Sequence, residues 1–133
     1  MKIHVSGAFE VKLTPQPLAH AGQDASLGRM SIDKRYQGAL DATATGEMLS
    51  AMGGVKGSAV YVAIERVTGR LNGRAGSFTL AHRGVMSRAG QELLVTVAPD
   101  SGSGELSGLM GSMKIRIESG EHFYDFDGEV PDA

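Results

Sequence analysis

Leu93–Asp127 reads LLVTVAPDSGSGELSGLMGSMKIRIESGEHFYDFD. Strand-like runs are separated here by a compact Gly/Ser turn region and a short turn, and the stretch closes on an aromatic strand. The same grammar, an alternating run followed by a glycine-rich turn, recurs back to Met1. Period-two alternation bounded by Gly, Pro, Asn and Asp is the signature of half-buried β-strands.

Working outward, Lys2–Thr14 places Ile3, Val5, Phe9, Val11 and Leu13 on one face and His4, Ser6, Glu10 and Lys12 on the other. The Pro15 and Pro17 pair predicts its end, because proline supplies no ladder donor. Leu18–Ser26 is small, polar and aperiodic, a surface loop. In Gly28–Gln37, Met30, Ile32 and Tyr36 oppose Arg29, Ser31, Asp33 and Arg35. Lys34 falls out of pattern on the apolar side, which suggests a bend or bulge. Ala39–Leu49 alternates small residues with Asp41, Thr43, Thr45 and Glu47, as if crowded against another layer. The adjoining MLSAM run, residues 48–52, admits either a strand or a helical turn. After a turn at Met52–Gly57, Ser58–Thr68 carries apolar residues on both faces and predicts a strand covered on both sides. Asn72-Gly73 is the pair favoured in tight hairpins, and Ser77–Met86 returns with Phe78, Leu80 and His82 on one face.

This makes about eight strands and no amphipathic helix of ordinary length. Strands without helices to cover them bury one face by packing two sheets or by closing on themselves. Long strands with short connections favour closure. An eight-strand barrel is just filled by side chains or holds one small ligand. The expected fold is therefore all-β, an eight-stranded antiparallel barrel with little or no helix, as one domain over residues 1–133.

Composition narrows the function classes. The chain has 133 residues, 19 of them glycine, with 7 methionines, 4 phenylalanines and no tryptophan. This composition predicts a core filled by methionine, valine and isoleucine instead of aromatics. There is no cysteine, so disulfide and thiolate chemistry are excluded. A formal charge of -2 gives no electrostatic footprint for nucleic acid. No apolar run approaches the roughly 18 residues of a membrane-spanning helix. The first strand does not resemble a signal peptide. The expectation is a cytoplasmic protein with no nucleic-acid or membrane partner.

Two resemblances add to this reading. Leu94-Val95-Thr96, the Ser101–Gly111 turn region and Phe123-Tyr124-Asp125-Phe126 resemble the C-terminal part of plant allene oxide cyclase. Over nearly its whole length the chain is similar to a bacterial family of uncharacterised small proteins assigned the same barrel. FEVKLTPQ (9–16), LGRMSIDKRY (27–36), GEMLSAM (46–52), YVAIERVTG (61–69) and HFYDFD (122–127) carry that similarity. The resemblance implies an eight-strand barrel with an internal cavity, often oligomeric. In the cyclases a first-strand glutamate acts in an apolar pocket, and Glu10 matches it by position. Glu10, however, shares the polar face with Lys12, and the family's cysteine is absent, so the cyclase activity is not carried across.

Of the conspicuous motifs, Gly102–Gly108 lacks the spacing of a dinucleotide fingerprint, has no Walker lysine, and leads into a strand rather than a helix. It predicts a tight barrel turn. His4, His20, His82 and His122 have no metal-ligand spacing, so no metal or other cofactor is expected. Asp125 and Asp127 share one strand face and predict an acidic rim.

Strand pairing supplies the better constellation. The Leu71–Arg74 turn puts Glu65 near Thr79 and Leu80, and Ala63 near Ala81 and His82. The Met52–Gly57 turn puts Glu47 near Val60 and Tyr61. In one register Glu47, Tyr61, Glu65 and His82 face the lumen together; a one-residue slip reverses every face. Carboxylate, phenol and imidazole in an apolar cavity form a candidate acid/base cluster. Tyr124 and His122 on the last strand, with Met48 and Phe78, are candidate ligand-lining residues. The readings that follow are a barrel binding a small apolar molecule, a cyclase- or isomerase-type acid/base enzyme, or a solidly packed barrel acting through its surface or as a homo-oligomer.

Overall fold

The computed structural model describes residues 1–19 and 26–132. The alternating runs form eight antiparallel strands: β1 (Lys2–Gln16), β2 (Leu27–Tyr36), β3 (Leu40–Met52), β4 (Ala59–Leu71), β5 (Arg74–Ser87), β6 (Gly90–Val97), β7 (Met110–Glu118) and β8 (Glu121–Glu129). They pair in chain order and close into a barrel through β1 and β8, from Lys2 opposite Glu129 to Phe9 opposite His122. Closure gives every strand a neighbour on both sides, with β6 and β7 joined over a short stretch only. The Leu71–Arg74 hairpin turns through Asn72 and Gly73, at φ 51° and 84°. Both values lie in the left-handed region that the Asn-Gly pair tolerates.

The two ends of the barrel differ. At the closed end, Ile3, Leu40, Leu71, Phe78, Phe126 and Val130 are buried together. The Gly/Ser stretch crosses this end as a connection containing a 3-10 turn at Gly104–Leu106, and drives Leu106 and Leu109 into it, 1% and 0% exposed. Burying a large aliphatic side chain fully contributes about 1.5–3 kcal/mol. The stretch is tied to β5: Ser103 N donates to the Ser77 carbonyl at 2.9 Å, and Thr79 N donates to Ser101 Oγ at 3.1 Å. Tyr124 secures the same end. Its hydroxyl accepts from Leu40 N at 3.0 Å and donates to the Gln37 carbonyl at 2.8 Å.

The open end is rimmed by inward-parity residues that stay accessible: Leu13 at 45%, Met86 at 38%, Leu93 at 40% and Ile117 at 65% exposure. Below the rim β6 and β7 are paired at Val95–Met113 and Thr96–Ser112.

Several local expectations change. β1 runs through Pro15, opposite Met30, to Gln16 near the open end. The 48–52 run is strand, paired with 59–63. Lys34 marks no bulge, because β2 stays in register through it, opposite Val11 and Ala44. The outer face of β4 is not covered: Val62 is 48% and Ile64 62% exposed, since no second layer packs there. Of the 18–26 loop, residues 20–25 lie outside the described residues, and His20 with them.

Candidate functional site

Alternation sends Lys34 and Tyr36 of β2, Glu65 of β4 and His82 of β5 into the lumen, where four polar groups converge. Glu65 is fully buried. Its Oε2 accepts from Lys34 Nζ at 2.7 Å and from His82 Nε2 at 2.8 Å, and its Oε1 takes the Tyr36 hydroxyl in a short hydrogen bond. The Lys34 ammonium also lies 4.9 Å from the centre of the Phe9 ring and 5.6 Å from that of Tyr36, within cation–π range. Every lumen-facing member is thus paired, as buried charge requires.

The electrostatics follow from this geometry. Burial acts to raise the Glu65 carboxyl, but the His82 hydrogen bond and the Lys34 charge outweigh it and lower it to about 2. Burial, then the Glu65 charge and hydrogen bond, push the Tyr36 phenol up, so it stays a proton donor to the carboxylate. Because ionised Glu65 only accepts, the His82 nitrogen facing it carries the hydrogen. The other ring nitrogen, Nδ1, has no partner, whereas no buried side-chain nitrogen or oxygen among the described residues lacks one. His82 is 7% exposed. Nδ1 is therefore the atom of this ring that meets open space. His82 shares the inward face of β5 with the buried Phe78 and Leu80, so its side chain meets that space on the lumen side.

Glycines make the room. Gly46 on β3 pairs with Glu65. A Cβ there would lie 1.9 Å from the Ile64 carbonyl oxygen and 2.7 Å from the Glu65 Cα. Gly84 on β5, two residues above His82, takes the ring of Tyr61: a Cβ at Gly84 would lie 2.1 Å from Tyr61 Cε1. Tyr61 thus reaches into the lumen mouth over β5, and burial pushes its phenol up. Between the cluster and the rim the inner wall is apolar, built by Val11, Met30, Ile32, Met48, Ala63 and Ile115. The site is an apolar mouth with an ionisable floor.

Of the residues singled out in the sequence, Glu65 and His82 come together at the floor and Tyr61 stands above them. Glu47 does not join. The turn after β3 sets Met52 opposite Ala59, so Glu47 faces Ile64 rather than Val60 or Tyr61. That inverts its parity, and Glu47 lies on the outer surface in an ion pair with Arg29. Met48 is half-buried on the mouth wall. His122 is half-buried on the inner face, its ring 5.3 Å from that of Phe9. Tyr124 and Phe78 are buried in the closed half, Tyr124 with its hydroxyl committed to the backbone and Phe78 packed 6.2 Å from Phe126. Glu10 is exposed on the outer face. Asp125 and Asp127 share that face, bonded to Ser6, Arg116 and His4. Lys34 and Tyr36 were missed as site residues. The sequence signal for them is the charge of Lys34 at an apolar-parity position of an unbroken strand.

A second concavity lies outside the barrel. Leu27, Leu49, Val62, Ile64 and Ala81 line an apolar groove of about 960 Å³ on the outer face of β2–β5, bordered by Leu18, Ala19, Arg29, Glu47 and Arg66. Thr45, Gly46, Ala63 and His82 also border it, and its charged side chains are the Arg29–Glu47 ion pair and Arg66. The hydrogen-bonded cluster of ionisable groups is in the lumen. No helix among the described residues is long and apolar enough to cross a membrane.

This chain belongs to the family described as a protein of unknown function, DUF3224, whose model matches residues 5–127. It is similar to a crystal structure of a protein with unknown function from the same family, from Shewanella oneidensis MR-1. The two are 51% identical over 100% of both chains, with a TM-score of 0.91. No curated protein matches the chain.

Proposed function

We propose that the barrel binds a small, largely apolar molecule in its open end, with Lys34, Tyr36, Glu65 and His82 as the polar floor of the site. The observation that carries this reading is the position of the cluster: a fully buried carboxylate with three donors, at the boundary between a packed half and an apolar, accessible half. A packed core gains little from such a cluster, because a buried ion pair is often no more stabilising than apolar residues of the same volume. An apolar recess with a few convergent polar groups is the usual form of a small-molecule site.

An acid/base enzyme is the second reading, and one observation favours it. Glu65 orients the His82 ring and leaves Nδ1 free, which is the arrangement of a base held by a carboxylate. In that reading His82 moves the proton and Glu65 only positions it, since a carboxyl held at about 2 is ionised throughout the neutral range.

The test is binding to a blocked barrel. Ala63 is 5% exposed beside His82, so Ala63→Phe fills the mouth above the floor. Small molecules that co-purify with the wild-type protein in native mass spectrometry, or that raise its melting temperature, are expected to be lost from Ala63→Phe while far-UV circular dichroism stays unchanged. Retention of the same molecules by Ala63→Phe, and their loss from Ile64→Lys in the outer groove, overturns the lumen assignment. The homo-oligomer reading takes that outer groove as its surface. Its rim carries Arg29, Arg66 and Glu47, both signs of charge, so a second copy related by a twofold axis can match it. Light scattering of wild type against Ile64→Lys checks this: a wild-type dimer that the variant reduces to monomer supports it, and a monomeric wild type rejects it.

A further inference from the structure

We infer that His82 Nδ1 selects the ligand: it accepts a hydrogen bond from the bound molecule, so the site takes apolar molecules that carry one proton-donating group, a hydroxyl or an N–H. The inference rests on the lumen reading above and specifies its ligand class.

The argument is one of counting donors and acceptors. Glu65 spends Oε1 on the Tyr36 hydroxyl and Oε2 on Lys34 and His82. All three partners must donate, because an ionised carboxylate has no hydrogen to give. In the imidazole that carries a single ring hydrogen, Glu65 holds that hydrogen on Nε2. Nδ1 is then a bare lone pair in a ring that is 7% exposed. The inner faces of the other strands offer it nothing. β1, β3, β6 and β7 carry no titratable side chain on the inner face. The titratable groups facing the lumen are Lys34, Tyr36, Tyr61, Glu65, His122 and Tyr124. Lys34 donates to Glu65 and to the Tyr36 hydroxyl and lies over the Phe9 ring, Tyr36 and Tyr124 are committed to other partners, and no hydrogen bond joins Tyr61 or His122 to His82. The accessible polar atom at the floor is therefore an acceptor, and the apolar wall above it takes the remainder of the ligand. A ligand that ends in an ether or ester oxygen instead would set one lone pair against another and leave both unpaired, which a low-dielectric site penalises.

Matched probes test this on the intact protein. Para-pentylphenol and para-pentylanisole have nearly the same shape, but only the phenol can donate. The phenol is expected to bind roughly tenfold tighter by isothermal titration, the value of one neutral hydrogen bond. Long-range ¹H–¹⁵N correlation of the imidazole is expected to show Nε2 protonated and Nδ1 bare in the free protein, with the Nδ1 signal moving on addition of the phenol and not of the anisole. His82→Phe is expected to lose the phenol preference, so that whatever affinity remains is the same for both probes. If that variant does not fold, the wild-type nitrogen signals decide alone. Equal affinity for both probes, a protonated Nδ1 in the free protein, or a phenol preference that survives in His82→Phe overturns this inference and leaves the lumen reading standing. Binding of neither probe overturns both.

Discussion

Glu65→Gln isolates the charge at the floor while keeping the side chain's size. Lys34 would remain with an ammonium whose side chain is only 7% exposed and whose carboxylate partner, 2.7 Å away, has been removed. The magnitude can be worked in two ways. The Glu65 carboxyl falls from 4.5 to about 2, roughly 2.5 pH units at about 1.4 kcal/mol each, or about 3 kcal/mol of stability near neutral pH. Removing one partner of a buried ion pair costs about 3–5 kcal/mol. The two agree, and a loss of about 3 kcal/mol lowers the melting temperature of a chain this size by roughly 10 °C.

The pH dependence supplies the sign. Glu65 is depressed in the folded protein, so its contribution is fully present above 4.5 and is lost as pH falls toward 2. Urea denaturation of wild type and Glu65→Gln across that window should therefore show a gap of about 3 kcal/mol near neutral pH that shrinks toward zero at the acid end. Adding Lys34→Met to Glu65→Gln should recover most of the loss, because the unpaired charge is then gone. A gap that does not change with pH, or losses from the two single variants that simply add, would refute the claim that Lys34 and Glu65 act as one charge pair.

Three further substitutions probe the frame around the site. Gly46→Ala places a Cβ 1.9 Å from the Ile64 carbonyl oxygen, and thermal melts should show a loss of about 2–3 kcal/mol with weakened binding of any lumen ligand; wild-type stability would show that β3 can move aside freely. Tyr124→Phe strips the partner from Leu40 N and the Gln37 carbonyl, for an expected loss of about 1–3 kcal/mol in urea denaturation without any change in ligand preference. Glu47→Ala, removing an exposed ion pair with Arg29, should change stability by about 0.5 kcal/mol or less and leave lumen binding intact; loss of binding would place Glu47 back in the site.

How far the sequence reveals this protein depends on the range of the interaction that fixes each feature. Strand existence and closure were legible, because alternation and turns are local. The β4–β5 register was legible for the same reason: Asn72-Gly73 fixes a two-residue loop, and from it Glu65 opposite Leu80 and Ala63 opposite His82 follow by counting. A diagonal neighbour on one face lies within reach of a long side chain, so the Glu65–His82 contact was accessible to arithmetic. The β3–β4 register was not. Its connection is longer and carries Gly53, Gly54 and Gly57, so no single loop geometry is implied, and counting from it leaves the face of Glu47 open; the structure sets it opposite Ile64, on the outer face.

Lys34 was illegible for a different reason. It reaches Glu65 across an intervening strand, so no pairing of neighbours contains the contact. β3 lies between them, with Ala44 opposite Lys34 on one side and Gly46 opposite Glu65 on the other. The small residues on this face of β3, Ala42, Ala44 and Gly46, read in the sequence as crowding against another layer, are instead clearance. They leave the space through which Lys34 and Tyr36 extend over β3 to the carboxylate. A larger residue at position 44 or 46 would separate the donors from Glu65 without touching any of the four polar groups. The small face of β3, the out-of-pattern lysine of β2 and the inward glutamate of β4 are thus one feature, written on three strands. Each looks like a local irregularity when read alone, and their common cause emerges only once the barrel closes and sets the three inner faces side by side.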